Sequence, residues 1–135
     1  MSLRAWFLNG LESLLFRPSG LGKKAEQAAA HYLRKQGHRI LHRNYRNQIG
    51  EIDLITTDRG QLVFVEVRSR TSSQHGDPLE TIDHTKQRQI LRTAQGYLQS
   101  RPNQQKSPRF DVIGIIWNDQ RQIVKFQYVP HAFTA

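Results

Sequence analysis

Residues 50–68 read GEIDLITTDRGQLVFVEVR, and this stretch decides the architecture of the chain. Apolar and β-branched residues flank Asp58-Arg59-Gly60, a combination typical of a tight turn between two strands. The pattern therefore predicts a hairpin whose strands cover 49–57 and 62–68. A preceding strand, predicted over 39–45, extends the hairpin to a three-stranded antiparallel meander.

The first strand of the hairpin carries two acidic residues. Because side chains alternate along a strand, Glu51 and Asp53 are expected on one face, with Ile52 and Leu54 on the other. The apolar pair predicts a face that packs against the core. The acidic pair then lies on a face that needs solvent, counter-charges or a cation.

The second strand holds a carboxylate within the most apolar run of the chain. One face is expected to carry Leu62, Phe64, Glu66 and Arg68, and the other face Val63, Val65 and Val67. A carboxylate in such a strand costs free energy unless a partner compensates its charge. One interpretation is a salt bridge from Glu66 to Arg68 or to a neighbouring strand.

A metal site is the second interpretation of the same residues. Through the predicted turn, Asp53 and Glu66 come close on adjacent strands, where two carboxylates repel each other. Mg²⁺ or Mn²⁺ would relieve the repulsion, and the backbone carbonyl of Val67 would add an oxygen ligand. Such a cation polarises a phosphodiester and activates water. Arg68, on the face of Glu66, would then hold the scissile phosphate.

Periodicities outside the hairpin complete an α/β pattern. The predicted elements are an N-terminal amphipathic helix over 4–16, a helix over 21–36, a polar loop over 70–80, a helix over 82–100, and strands over 110–117 and 123–129. At 135 residues the chain has room for one domain, in which 1–18 form a helical extension and 19–135 the core.

The composition favours a nucleic-acid partner. The 20 Lys and Arg residues against 11 Asp and Glu residues leave a net charge of +9, which favours binding to a polyanion. Without cysteine the chain has no disulfide and no thiolate metal site. The apolar N-terminal residues match neither a signal peptide nor a transmembrane helix, so we expect a cytoplasmic protein without a membrane partner.

Basic residues cluster around the predicted carboxylate site. We expect DNA-backbone contacts from side chains on the first strand, after the third strand and along the second long helix, namely Arg43, Arg46, Arg70, Lys86, Arg88 and Arg92. Any one of them taken alone is better explained as a solvated surface charge than as a DNA contact, so the expectation depends on the group.

Two known families share these motifs. Asp53 followed by Glu66-Val67-Arg68 resembles the PD-(D/E)-x-K nuclease motif, in which an Asp and a Glu hold Mg²⁺ beside a Lys. More closely, the chain resembles the YraN-like family of bacterial proteins, itself similar to Holliday-junction resolvases. That resemblance covers residues 21–117 and rests on Gly22, Ala25-Glu26, Gly50-Glu51-Ile52-Asp53-Leu54-Ile55, Val63-Phe64-Val65-Glu66-Val67 and Phe110-Asp111-Val112-Ile113.

The resemblance implies a fold and an activity. It implies a restriction endonuclease-like core, a mixed sheet flanked by helices in the order αβββαββ, and a Mg²⁺-dependent endonuclease acting on DNA, including branched DNA. In resolvases of this superfamily a helix Glu joins the metal site, and Glu26 takes that part by resemblance. The sequence alone is also compatible with Glu26 as a solvated helix residue. A homodimer is implied because a four-way junction needs two cuts.

Arg68 departs from the motif, which has Lys at this position. An Arg cannot give up its proton at usable pH, although it can clamp a phosphate with two parallel hydrogen bonds. One alternative is therefore a nucleic-acid-binding module that kept the nuclease fold and lost catalysis. Another is a partner protein recruited to DNA through the N-terminal helix.

We expect DNA binding with little sequence preference and strong salt dependence, because the net charge is high and no base-reading motif is evident. Each neutralised phosphate should add roughly 0.9 to the slope of log affinity against log salt on duplex DNA. Fluorescence anisotropy of a labelled duplex from low to moderate salt measures that slope. An affinity that does not change with salt contradicts the role given to the basic residues.

Overall fold

A computed structural model describes residues 21–101 and 107–134. In chain order they form helix α1 (Leu21–Lys35), strands β1 (Arg39–Arg46), β2 (Glu51–Asp58) and β3 (Gln61–Thr71), a 3₁₀ helix (Pro78–Thr81), helix α2 (His84–Gln99), and strands β4 (Arg109–Trp117) and β5 (Ile123–Phe133). The predicted order of these elements is confirmed. The N-terminal helix predicted over 4–16 lies outside the described residues.

The five strands form one mixed sheet in the order β1-β2-β3-β4-β5. The meander of β1, β2 and β3 is antiparallel, as predicted, and β4 pairs with β5 in the same way. β4 runs parallel to β3, because the 3₁₀ helix and α2 cross over between them. In the β2–β3 hairpin, Arg59 (φ 52°) and Gly60 (φ 83°) adopt the left-handed conformation that a two-residue turn needs.

The helices cover opposite faces of the sheet. The core on the α1 face comprises Ala25, Ala29, Ala30, Leu33, Leu54, Val63, Val65, Ile113, Ile115 and Trp117. The core on the α2 face comprises Ile52, Ile55, Leu62, Phe64, Ile82, Ile90, Ala94, Tyr97, Phe110 and Val112. α1 ends at Lys35, one residue before its predicted end, and Gly37 follows with a φ of +97°, which suits a residue just after a helix. No helix in the described part of the chain is long and apolar enough to cross a bilayer.

Two strand ends, those of β3 and β5, differ from their predicted positions by more than two residues. The predicted loop over 70–80 begins later, because β3 continues to Thr71, which pairs with Trp117 of β4. The same loop contains the 3₁₀ helix, which Asp77 caps by accepting a hydrogen bond from the Leu79 amide at 3.0 Å. β5 also continues past the predicted end, to Phe133, which pairs with Phe110.

The face assignment of β2 also needs a correction. Ile52 packs in the α2-face core and Leu54 in the α1-face core, so these two residues do not share a face. The residue between them, Asp53, lies where the regular pairing with β3 has not yet begun, since the ladder starts at Leu54↔Val65. On β1, Asn44 falls between the partners of Ile52 and Leu54 and has a φ of 53°. Both strands are therefore irregular beside Asp53.

The turn between β1 and β2 docks closely on α2. The Asn47 side chain accepts hydrogen bonds from the amides of Ile49 and Gly50 and donates one to the Thr93 carbonyl of α2 at 3.0 Å. A Cβ on Gly50 would lie 2.8 Å from Thr93 Oγ1, and a Cβ on Gly96 would lie 2.7 Å from Asn47 Nδ2. Glycine at these positions lets the start of β2 approach α2.

Two helical glycines offer a matched test of this docking. Gly22→Ala in α1 should stabilise the protein by roughly 0.5–1 kcal/mol, because its Cβ meets no atom of the described residues within 4 Å and alanine favours a helix. Gly96→Ala in α2 should instead destabilise it, because the new Cβ displaces the Asn47 amide. Urea unfolding of both variants checks this, and equal stabilisation by the two substitutions would contradict it.

Candidate active site

The candidate site lies where β2 and β3 separate. Regular pairing between them runs from Asp58↔Gln61 to Leu54↔Val65 and stops there. Beyond that point the Val67 amide donates a hydrogen bond to Asp53 Oδ2 at 2.8 Å. The N–H and C=O of one strand residue point to the same edge, so the Val67 carbonyl is also directed towards this gap. The carboxylate of Asp53 and the carbonyl of Val67, both predicted as metal ligands, therefore lie at the same gap between β2 and β3.

Asp53 lies in strongly charged surroundings. Burial raises the pKa of its carboxyl well above the ordinary value, and the negative charge of Glu66 raises it further. Glu26 of α1 also raises the pKa of Asp53, whereas the Val67 hydrogen bond and the charge of Arg68 lower it. The structure thus brings three of the predicted acidic residues into electrostatic contact, one of them from the helix.

Glu66 is only 6% exposed and receives two basic side chains on one oxygen. Arg68 Nη2 lies 3.4 Å from Glu66 Oε1, and Lys86 Nζ lies 3.9 Å from the same atom. The salt bridge considered from the sequence is therefore present. The second oxygen, Oε2, is buried and has no hydrogen-bond partner within the described residues. It is this oxygen that remains available for a further ligand.

The buried position of Lys86 beside Glu66 was not predicted from the sequence. Lys86 was predicted as a DNA-backbone contact on a helix surface, yet it is buried at 7% exposure beside Glu66. Burial lowers the pKa of its ammonium, while the charge of Glu66 raises it. A signal was available, because Lys86 precedes Ile90 by four residues and so continues the buried stripe of α2 towards its N-terminus. The Asp83 cap, which accepts from the Lys86 amide at 2.8 Å, marks that end.

Arg68 is also largely enclosed, with 17% of its side chain exposed. Burial lowers the pKa of its guanidinium, and the charges of Glu66, Asp53 and Asp83 oppose that effect. The guanidinium nevertheless stays protonated at any working pH. Arg68 therefore lies among the acidic side chains as a permanent charge.

The remaining predicted DNA contacts are more scattered. Arg43, Arg46, Arg88 and Arg92 are exposed, as a backbone contact requires, and Arg46 lies 3.4 Å from Glu51. The Arg70 guanidinium instead donates to the carbonyls of Thr71 at 2.8 Å, Gln74 at 2.7 Å and Gly76, so that it organises the loop after β3. Their DNA-binding role stays a prediction.

A metal ion bound at this site would need water or substrate oxygens to complete its coordination. In the residues that the structure describes, no three His, Asp or Glu side chains form a close metal-binding group. The available donors are oxygen atoms of Asp53 and Glu66 and the Val67 carbonyl, a set that suits a hard cation. The buried Glu66 Oε2 and the raised pKa of Asp53 fit such an ion.

A second polar network, near the β2–β3 turn, was not predicted. Asp111 of β4 is 1% exposed and accepts hydrogen bonds from Arg109 on both oxygens at 2.9 Å, from the His131 amide at 2.9 Å and from the Tyr128 hydroxyl. Arg109 also reaches Asp58 of β2 at 3.0 Å. Both carboxylate oxygens of Asp111 have hydrogen-bond partners. Because those partners lie on different strands, the network links β2, β4 and β5.

Fold and site together define a mixed α/β domain with a buried acidic and basic cluster at a strand separation. The family model of "Uncharacterised protein family UPF0102" matches residues 25–115, and the chain belongs to this family. The prediction of YraN-like membership is thereby confirmed. The matched residues include all the acidic and basic side chains of the cluster.

Individual relatives extend over most of the chain. A UPF0102 protein of Persephonella marina is 51% identical over 98 residues, which cover 73% of this chain and 84% of the relative. One from Chlorobium phaeobacteroides is 41% identical over 122 residues, covering 87% and 97%. One from Caldanaerobacter subterraneus is 42% identical over 114 residues, covering 84% and 93%.

The raised pKa of Asp53 predicts a pH dependence of stability. Between the unfolded pKa, about 4, and the higher folded pKa, the folded state binds the proton more tightly. Without metal, the unfolding free energy of the native protein should therefore fall, relative to Asp53→Asn, as pH rises from about 5 to about 8. Subtracting the unfolding free energy of the Asn variant at each pH removes the contributions that other titrating groups make to both proteins. Urea unfolding in a chelating buffer measures this difference at each pH. A difference that does not change with pH would contradict the raised pKa of Asp53.

Proposed function

We propose that the chain is a metal-dependent endonuclease that hydrolyses phosphodiester bonds in DNA. The observation that carries the proposal is the pair formed by half-buried Asp53 and buried Glu66 at the separation of β2 and β3, with basic side chains on one side of Glu66. A carboxylate buried only for structure usually has hydrogen-bond partners on both oxygens, whereas Glu66 Oε2 has none among the described residues. Paired carboxylates of this kind are the protein contribution to a divalent-cation site.

Two carboxylates and one carbonyl would hold the ion directly. Asp53 and Glu66 would supply carboxylate oxygens and Val67 its carbonyl oxygen, while Glu26 of α1, which raises the pKa of Asp53 but forms no close group with both acids, would reach the ion through a bound water. Bound Mg²⁺ or Mn²⁺ supplies Lewis acidity towards the phosphate and lowers the pKa of a bound water. The remaining ligands are water and substrate, in keeping with the small number of protein donors.

The protein side chains orient the reaction around the phosphorus atom. Arg68 holds non-bridging phosphate oxygens and stabilises the charge that grows on them. A water oxygen attacks phosphorus, one backbone P–O bond breaks, and the two protons of that water end on the leaving oxygen and in solvent. Glu66 keeps Arg68 in place through the contact at 3.4 Å.

DNA as the substrate follows from the charge and from the family resemblance. The net charge of +9 and the exposed Arg43, Arg46, Arg88 and Arg92 favour a phosphate backbone. The order of helices and strands, αβββαββ apart from the 3₁₀ helix, agrees with the order that the resemblance implies. Its resemblance to junction resolvases supports branched DNA as the substrate and a homodimer as the active form.

A binding module without catalysis is the second candidate. The observation that favours it is Arg68, which cannot give up a proton as the motif lysine can. In that case the cluster binds DNA without cleaving it. Cleavage assays separate the two candidates.

We expect Mg²⁺ or Mn²⁺ to raise the melting temperature of the native protein, with about 2.7 kcal/mol of stabilisation at a hundredfold excess over the dissociation constant. Asp53→Asn and Glu66→Gln should each abolish this effect, because each removes a charged ligand. The same proteins are then assayed for metal-dependent cleavage of linear, flapped and four-way DNA, where both variants should be inactive.

The exposed acid Glu80→Gln, in the 3₁₀ helix, serves as the control and should keep both the stabilisation and the cleavage. If neither metal raises the melting temperature of the native protein at high concentration, the proposed metal site is contradicted. Metal binding without cleavage of any DNA would favour the binding module.

A further inference from the structure

Ile49, in the turn between β1 and β2, has an apolar side chain that the fold leaves in contact with solvent. It is 39% exposed, and the other large apolar residues exposed in the described part of the chain, Ile123 and Val124, lie at the start of β5. β1 and β5 are opposite edges of the sheet, so Ile49 is separated from that pair. A single exposed apolar residue is ordinary on a protein surface, but the backbone and the neighbours of Ile49 are not.

The backbone of Ile49 is held on both sides. Its amide donates a hydrogen bond to Asn47 Oδ1 at 2.9 Å, and its carbonyl accepts one from Gln89 Nε2 of α2 at 3.4 Å. Asn47 in turn donates to the Thr93 carbonyl at 3.0 Å. Isoleucine is also restricted at χ1, because it is β-branched. An apolar side chain on such a fixed turn loses little conformational freedom when it binds a partner.

Basic side chains surround this turn. Strand β1, residues 47–50 of the turn and helix α2 contain no acidic residue. On α2, exposed Arg92 lies one helical turn after Gln89, which contacts the turn, and exposed Arg88 lies one helical turn before Arg92. Arg46, just before the turn, pairs with Glu51 at 3.4 Å, so the excess positive charge comes from α2. Such surroundings suit a phosphate backbone better than an apolar protein surface.

Ile49 also lies near the candidate site. It precedes Asp53 by four residues at the start of β2, and extended chain of that length spans at most about 13 Å. Stacked nucleotides rise about 3.4 Å each along one DNA strand. A strand whose phosphate lies at Asp53 would therefore place a base within about four nucleotides of that phosphate beside Ile49.

We propose that the Ile49 side chain contacts bases at an opened step of the DNA, close to the phosphate held at the carboxylate site. This inference rests on the proposed function for its substrate, and it names the residue that selects the DNA structure. Apolar side chains insert between bases in this way, while neighbouring Arg side chains hold the phosphates. Unstacking a duplex step costs free energy, and the cost is smaller where a branch has already opened the stack. Ile49 therefore makes branched DNA a better ligand than linear duplex.

The first test compares affinities for branched and linear DNA. Fluorescence anisotropy in a chelating buffer, which prevents metal-dependent cleavage, gives the affinities for a labelled four-way junction and a labelled duplex. Ile49→Ser should reduce the preference of the native protein for the junction about tenfold, because the apolar contact with the bases is lost. Ile49→Leu should retain the preference, since the side chain stays apolar. Ile123→Ser, at the opposite edge of the sheet, is the matched control and should bind both DNAs as native protein does.

Salt dependence separates the base contact from the phosphate contacts. Ile49→Ser should leave the slope of log affinity against log salt unchanged, because no charged contact is lost. Arg92→Gln should instead lower that slope by roughly 0.9 on duplex DNA and weaken binding to junction and duplex alike.

Base stacking is measured with 2-aminopurine, whose fluorescence rises when it leaves the stack. The analogue is placed within about four nucleotides of the branch, the distance between Ile49 and the carboxylate site. Native protein and Ile49→Leu should raise its fluorescence, whereas Ile49→Ser should not. Thermal melting should show that Ile49→Ser is folded, because the substituted side chain is exposed.

The outcomes separate this inference from the nuclease proposal. If native protein does not prefer the junction, or if Ile49→Ser keeps the native preference and the rise in fluorescence, the inference is overturned, whatever the cleavage activity. If native protein cleaves no DNA but Ile49→Ser still loses the preference for the junction, the nuclease proposal fails and the base contact stands.

Discussion

A carboxylate buried inside a sheet requires opposite charge close by, and Glu66 imposes this constraint on the whole molecule. The ion pairs with Arg68 and Lys86 meet it, but they engage a single oxygen. Asp53 adds a second, half-buried acid whose pKa is raised by burial and by the charge of Glu66. This arrangement costs folding free energy, which agrees with the proposed role of these acids in a metal site.

The scaffold around these acids serves to hold charges at fixed places. The Asp83 cap sets the start of α2, and Lys86 follows on its buried stripe. The docked turn with Gly50 and Asn47 fixes the start of β2 against the same helix. Asp53 and Lys86, far apart in sequence, are thereby both positioned relative to α2.

The two buried acidic clusters differ in how their oxygens are used. Asp111 accepts hydrogen bonds on both oxygens and links β4 to Arg109, Tyr128 and the backbone of β5. Glu66 has one oxygen engaged by basic side chains and one with no hydrogen-bond partner in the described part of the chain. Full satisfaction is typical of a structural network, and partial satisfaction of a site that awaits a ligand.

The sequence by itself determined the order of helices and strands, the hairpin turn at Gly60 and the two acids at the heart of the site, because local periodicity and turn chemistry encode them. It did not determine that Ile52 and Leu54 lie on opposite faces, since alternation assumes a regular ladder and β2 is irregular at Asp53. Only the tertiary structure placed Lys86 beside Glu66, because that contact joins α2 to β3 across the crossover. The hydrogen bonds from Arg70 to the loop carbonyls were likewise visible only in the tertiary structure, because they depend on how the loop folds back beside β3.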